Sequence, residues 1–272
     1  MRNKKLAIAA ITSLGLAFPA SAAVIDLGFA LDESGSVSNP NFNLSKQGLA
    51  NALDQIPTSG ANEYRISVIA FDGNARTIIP PTTVTAGNVA GLKTQINGIV
   101  NSRGLTDIAE AVDLLTANFV NAGLGAETYL NVATDGGSSS NALATAAENA
   151  NNAGVDGLSF EAIGGGADTA TLLRSCFGGG ANSYADPGSG NTAAGCMLVG
   201  DANNLPDATQ EGFVLTVGSF TDFEGAISSK VQSIVDDTGG GVGVVPLPAS
   251  LPLLLSALGI GGFVARRKKK SA

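Results

Sequence analysis

Apolar and polar positions along this chain switch repeatedly between two periods. Short, nearly unbroken apolar runs occur at Val24–Leu31, Arg65–Phe71, Arg76–Ile79, Thr128–Ala133, Leu158–Ile163 and Phe213–Val217. Runs of that length between turn residues read as strands, most of them covered on both faces. Between them apolar residues recur at helical spacing: Phe42, Leu49, Leu53 and Ile56, then Val89, Leu92, Ile96 and Ile99, then Ile108, Leu115 and Phe119, and finally Phe223, Ile227, Val231 and Ile234. Strands alternating with amphipathic helices predict a doubly wound α/β three-layer sandwich with a six-stranded, mostly parallel sheet. Asp72-Gly73-Asn74 joins the second and third strands by a tight turn, so these form one antiparallel pair at an edge. Pro80 and Pro81 are expected to end that edge strand. Asn39-Pro40 reads as a cap and first-turn proline, and Asp107-x-x-Glu110 and Thr221-x-x-Glu224 as capping boxes or their Asp equivalent.

Three segments break the alternation. Residues 178–211 are rich in Gly, Asn, Asp and Ser and include Asp186-Pro187-Gly188-Ser189-Gly190-Asn191. They read as an insertion before the last strand; the alternative, a calcium loop, lacks the regular ligand spacing of an EF-hand. At the start, Arg2, Lys4 and Lys5, an apolar core from Leu6 to Phe18, and Ala20-Ser21-Ala22 follow the plan of a secretory signal peptide, 1–22, cut before Ala23. The other reading is a first helix of the fold. No cysteine stands at the cleavage site, so nothing indicates a lipoprotein anchor. Residues 23–237 then form one domain, and 238–244 a linker opening on glycines. The tail, 245–272, holds Val245-Pro246-Leu247-Pro248-Ala249, an apolar stretch to Ala265 counted as a membrane segment at 249–265, and five basic residues, Arg266–Lys270.

Charge sharpens this picture. Outside the two basic termini the chain has seven Lys and Arg against all 23 Asp and Glu, a formal net charge of −16. Such a surface repels nucleic acid and anionic membranes and suits solubility outside the cell. The chain has no histidine, which removes Ser-His-Asp and Cys-His catalysis and His-ligated zinc. No G-x-S-x-G elbow is present either, and a binding module is expected rather than an enzyme. In an exported protein Cys176 and Cys196 are expected to form a disulfide; two buried free thiols are the alternative.

The candidate chemistry lies at strand ends. Asp32-Glu33-Ser34-Gly35-Ser36 follows the first strand, Thr106 stands in the loop before a helix, and Asp135 follows the strand Thr128–Ala133. Open α/β sheets bind ligands at the carboxyl edge of their strands. Two carboxylates and three hydroxyls there offer hard oxygen ligands suited to Mg²⁺.

The order D-x-S-x-S, then Thr, then Asp after a strand resembles the metal-ion-dependent adhesion site, MIDAS, of von Willebrand factor type A (VWA) domains. The resemblance extends over roughly Val24 to Asp236. It implies Mg²⁺, or Mn²⁺ or Ca²⁺, bound directly by Ser34 and Ser36, directly or through water by Thr106, and through waters by Asp32 and Asp135. It also implies an open coordination position, completed by an acidic group of a protein or acidic polysaccharide ligand of the extracellular matrix. A structural matrix or surface-layer role, in which the metal only braces loops, is the competing expectation.

The tail resembles a PEP-CTERM sorting signal in its Val-Pro-Leu-Pro-Ala variant, with Leu247 where the name-giving motif has Glu. That resemblance implies transient inner-membrane anchoring, processing by an exosortase-type enzyme, and delivery to the cell surface or matrix of a Gram-negative bacterium. Leu247-Pro248-Ala249-Ser250-Leu251 is also similar to the Gram-positive sortase signal but lacks Thr-Gly. A plain single-span anchor is the remaining reading.

Overall fold

A computed structural model of the chain describes residues 22–188 and 190–239. The leader, most of the linker, the motif Val245–Ala249 and the apolar stretch after it lie outside the described residues. The elements, in order, are β1 (Ala23–Asp32), α1 (Asn39–Ala52), β2 (Asn62–Phe71), β3 (Ala75–Thr83), α2 (Val89–Asn97), α3 (Ile108–Ala122) and β4 (Glu127–Thr134). They continue with α4 (Ser140–Ala153), β5 (Gly157–Ile163), α5 (Thr169–Leu172), β6 (Cys196–Val199), β7 (Gly212–Val217) and α6 (Phe223–Asp237). Among the described residues no helix is long and apolar enough to cross a membrane.

The sheet runs β3-β2-β1-β4-β5-β7-β6. All neighbours are parallel except β2 and β3, as the Asp72-Gly73-Asn74 turn requires. Two apolar layers sandwich it. Leu27, Phe29 and Leu31 of β1 face α1, α2 and α6 through Phe42, Leu49, Ile96, Phe223 and Ile227. Leu130 and Val132 of β4 and Phe160 of β5 face Val112, Leu115 and Phe119 of α3 and Leu143 of α4. Each such side chain is almost wholly out of water, which contributes about 1.5–3 kcal/mol apiece before conformational entropy is counted. Gly28 lets α3 approach the centre of the sheet: a Cβ there would lie 2.7 Å from Leu130 Cδ2 and 3.1 Å from Phe119 Cε2.

Four expectations from the sequence need correction. The sheet has seven strands, not six, because four residues of the 178–211 segment, Cys196–Val199, pair in parallel with β7 at the edge. The segment is therefore not loop throughout. Pro80 and Pro81 do not end β3, which continues to Thr83. The register shifts between the pairs Val68↔Ile79 and Ile66↔Thr82, so the prolines sit in an irregularity of an edge strand, where a missing N–H breaks little of the ladder. The cap of α1 is Ser38, whose side chain accepts from the Asn41 N–H, one residue before the expected position. Thr221 does not cap α6; the cap residue is Asp222, whose side chain instead accepts from Ser219 Oγ at 2.8 Å. Asp107 does cap α3, accepting from the Glu110 N–H.

Cys176 and Cys196 form a disulfide with their Cα atoms 5.5 Å apart. It lies at the amino edge of the parallel strands, since Phe177 bridges to Leu158 at the start of β5 and Cys196 pairs with Gly212 at the start of β7. The disulfide and the D-x-S-x-S loop are thus at opposite ends of the sheet.

Candidate metal centre

The chain leaves β1 into α1 on one face of the sheet and leaves β4 into α4 on the other. Since β1 and β4 are neighbours, their following loops diverge and open a crevice at the carboxyl edge, the topological switch point of such a sheet. Asp32 ends β1 and Asp135 follows β4, on either side of that crevice.

A continuous chain of short polar contacts joins the two loops. Thr134 Oγ1 donates to Asp32 Oδ2 at 2.6 Å, and the Ser34 N–H donates to Asp32 Oδ1 at 2.8 Å. Ser34 Oγ lies 3.0 Å from Ser36 Oγ, and Ser36 Oγ donates to Asp135 Oδ1 at 2.6 Å. Thr106 reaches the same place from a third loop: a Cβ built on Gly136 would lie 3.4 Å from Thr106 Oγ1. All five residues singled out from the sequence are therefore gathered within one loop cluster. Asp32 and Ser34 are buried, Thr106 and Asp135 half-buried, and Ser36 exposed. Burial pushes the Asp32 carboxyl above its usual range; hydrogen bonds from Ser34 and Thr134 act against that shift, and the nearby Asp135 charge adds to it.

Backbone contacts fix the third loop. The Gly35 N–H donates to Gly104 O at 2.8 Å, the Arg103 N–H to Glu33 O at 3.0 Å, and the Asp107 N–H to Asp72 O at 2.7 Å. Ser102 Oγ donates to Asp72 Oδ2 at 2.5 Å. Hydrogen bonds from Ser102 and from the Asn74 and Gly104 N–H groups hold the Asp72 carboxyl below its usual range despite partial burial.

Reasoning from sequence alone missed Glu33 and Thr134. Glu33 is buried and receives two hydrogen bonds from Arg76, at 3.1 and 2.6 Å, while Arg76 also donates to Val100 O at 2.8 Å. One ion pair thereby ties the β1–α1 loop, β3 and the loop before α3 together. Thr134 orients Asp32 and accepts from the Gly136 N–H at 3.1 Å. Their only sequence signals were a carboxylate directly after a buried strand and a threonine directly before Asp135.

Among the described residues no three Asp, Glu, Cys or His side chains cluster as a metal site by themselves, so an ion here depends on the hydroxyls. The donor set does fit one. Hydroxyl and carboxylate oxygens are the ligands Mg²⁺ prefers, and two carboxylates match its charge. Beside Ser36 and Asp135 lies an open cleft of about 440 Å³, bordered by Gly164–Gly166 after β5 and Gly218–Thr221 after β7. No described residue of the 178–211 segment lines it.

The fold and the loop cluster define a doubly wound α/β domain with hydroxyl and carboxylate groups gathered at its switch point. The model of the von Willebrand factor type A domain matches residues 26–192, more than half of the chain. The chain belongs to that family, whose domains generally mediate protein interactions and often bind a divalent metal at a MIDAS motif. No curated protein matches the chain in sequence. Among solved structures it is similar to von Willebrand factor type A from Catenulispora acidiphila, with TM-score 0.56 and 14% identity over 78% of this chain and 42% of that one. It is also similar to proximal thread matrix protein 1 from the mussel byssus, with TM-score 0.52 and 16% identity over 78% of this chain and 46% of that one. A further structure of the mussel protein, with the same TM-score and identity, has a zinc-occupied MIDAS motif. This chain spans less than half the length of these relatives, and at such identities the likeness is one of fold.

Proposed function

We propose that this protein is an exported adhesion or binding module that captures an acidic group of its partner through a divalent metal, Mg²⁺ or an ion of similar chemistry such as Mn²⁺ or Ca²⁺. Ser34, Ser36 and Thr106 would hold the ion through their hydroxyls, and Asp32 and Asp135 would balance its charge and hold its waters. When bound, the ion supplies an electrophilic position for an anionic oxygen, because neutral hydroxyls in its inner sphere leave much of its charge uncompensated. What supports this reading most is the contact chain from Ser34 through Ser36 to Asp135, in which separate loops present oxygens to one crevice. The partner is a protein or acidic polysaccharide of the extracellular matrix, not nucleic acid, and no reaction is catalysed. The tail would act as a PEP-CTERM-like signal, holding the chain in the inner membrane until an exosortase-type enzyme releases it to the surface or matrix.

The competing role, in which the ion merely braces loops, is less well supported. The loops around the site are already joined by their own hydrogen bonds, Gly35 to Gly104 and Arg103 to Glu33 among them. Two measurements test the reading. Mg²⁺ at a hundredfold excess over its Kd should stabilise the protein by about 2.7 kcal/mol, and Asp135→Ala should remove most of that response. Native matrix components should be retained in Mg²⁺ and released by EDTA. Equal Mg²⁺ responses in wild type and Asp135→Ala would refute the site; retention indifferent to EDTA would refute its role in binding.

A further inference from the structure

We propose that the rim formed by residues 100–105 is a second anchor beside the candidate metal centre, and that it fits an acidic polypeptide segment. One carboxylate of that segment would take the metal position, a second would pair with Arg103, and an apolar side chain would cover Leu105. The proposal rests on the metal-dependent reading above and names the class of partner.

Three observations carry it. Leu105 and Val100 are 81% and 78% exposed, the highest values among the large apolar side chains described, and Leu105 directly precedes the candidate ligand Thr106. Arg103, between them, is exposed and stands on a surface that is strongly acidic overall. Of the other basic residues in the domain, Arg65, Arg76, Lys93 and Lys230 are each paired with a carboxylate. Lys46 donates to the carbonyls of Asn97 and Ile99, and the Nε of Arg174 is buried. Among the described residues Arg103 alone is both exposed and without a carboxylate partner.

The loop is also built to stay as it is. Arg103 has φ +64°, a left-handed conformation that a residue other than glycine keeps only when its surroundings enforce it. Its N–H is held by Glu33 O and by Asn101 Oδ1, and Gly104 O is held by the Gly35 N–H between the two site serines. A slack loop could fold Leu105 inward. This one keeps it in water, two residues along the same loop from Arg103, and arginine is among the residue types enriched at contact hot spots. On a surface that is acidic overall, the unpaired Arg103 and the proposed ion together select carboxylates locally. The exposed Leu105 selects polypeptide over polysaccharide, because a polyuronate supplies carboxylates without aliphatic side chains.

The test is selection of phage-displayed random peptides on the full-length protein in Mg²⁺, with release by EDTA. The released pool should be enriched in peptides that carry two Asp or Glu residues and an intervening aliphatic or aromatic residue. A synthetic copy of the dominant peptide should bind Arg103→Gln and Leu105→Ser about tenfold more weakly. Both variants should keep the wild-type Mg²⁺ shift in melting temperature, since neither side chain is a proposed ligand. Unchanged affinity in both variants, a pool without the acidic–apolar pattern, or Mg²⁺-dependent binding of alginate with no peptide selected would each overturn the proposal. Absence of any Mg²⁺ shift in the wild type would instead sink the metal-dependent reading beneath it, so the two failures are told apart.

Discussion

Arg76→Ala should damage this protein more than Glu33→Gln, although the two substitutions break the same ion pair. The asymmetry follows from burial: the Glu33 side chain is 1% exposed and that of Arg76 44%. Removing Arg76 takes the charged partner from a carboxylate that is buried in the intact structure, a loss of up to about 3–5 kcal/mol where water admitted by the deletion does not replace it. It also frees Val100 O, which Arg76 holds at 2.8 Å. Neutralising Glu33 leaves a guanidinium that is nearly half in water and rehydrates, and the new amide still offers it a carbonyl. That cost is that of weakened charge-assisted hydrogen bonds, about 1–2 kcal/mol. In a domain of this size each kcal/mol moves the melting temperature by roughly 2–4 °C. Arg76→Ala should therefore lower it by roughly 6–20 °C and Glu33→Gln by roughly 2–8 °C. Thermal and urea unfolding of the two single variants and the double variant measure this directly. The double variant should regain much of what Arg76→Ala loses, because the stranded charge is gone, and the cycle yields the coupling between the two residues. If Glu33→Gln proves as harmful as Arg76→Ala, the loss comes from packing around residue 33 and the electrostatic account fails.

Other expectations are more local. A Cβ at Gly166 would lie 2.7 Å from Asp135 O, so Gly166→Ala must displace the β4–α4 loop. Mg²⁺ affinity, read by titration against melting temperature, should fall by roughly tenfold. Thr134→Val removes the donor to a buried oxygen of Asp32 and should cost about 1–3 kcal/mol in urea unfolding. Without added reductant the unfolded protein should show no alkylatable thiol, and Cys176→Ser with Cys196→Ser should cost roughly 3 kcal/mol for a loop of this length. If the tail is a sorting signal, intact-mass analysis of the native protein should find a chain from near Ala23 to near Pro248. A species that still carries Arg266 to Ala272 would refute that reading.

Much of the fold was legible because its central strands are nearly unbroken apolar runs, with only a few polar residues such as Asp26, Asn131 and Glu161 among them. Six of the seven strands stood out as runs, and the tight turn at Asp72-Gly73-Asn74 identified the antiparallel pair. What escaped had weak local signals. The apolar face of α4 is one leucine and three alanines, Leu143, Ala146, Ala147 and Ala150, set among asparagines that favour neither helix nor core. The four residues of β6 owe their strand to the free edge of β7 and to the disulfide that brings Cys196 there. No local pattern contains that information. Pro80 and Pro81 signalled the end of an edge strand, but the strand carries them through a register irregularity that the sequence does not mark.

The candidate site divides along the same line. Asp32, Ser34, Ser36, Thr106 and Asp135 were readable because each lies beside the end of a strand or the start of a helix, so the element pattern alone assigns them to one edge of the sheet. Glu33, Arg76 and the 100–105 rim were not, because their roles depend on which loops meet. Strand order decides that. With β1 between β2 and β4, the loop after β1 touches the end of β2 through the Glu33 N–H and Phe71 O, at 2.8 Å. The loop before α3 is then drawn in by Asp72, Glu33 and Gly35 together. The same order puts the crevice between β1 and β4, where the chain departs to opposite faces and no crossover covers the strand ends. Apart from Asp32, the last residue of β1, a site at that position draws on loop residues that the core constrains little. Position and residue type can therefore be separated: the sheet supplies an open, rigid place, and the loops supply hydroxyls, carboxylates and the exposed Arg103 and Leu105. Substitutions in the loops should accordingly change what is bound far more than whether the domain folds, except at Glu33, which is buried and tied to Arg76 of β3.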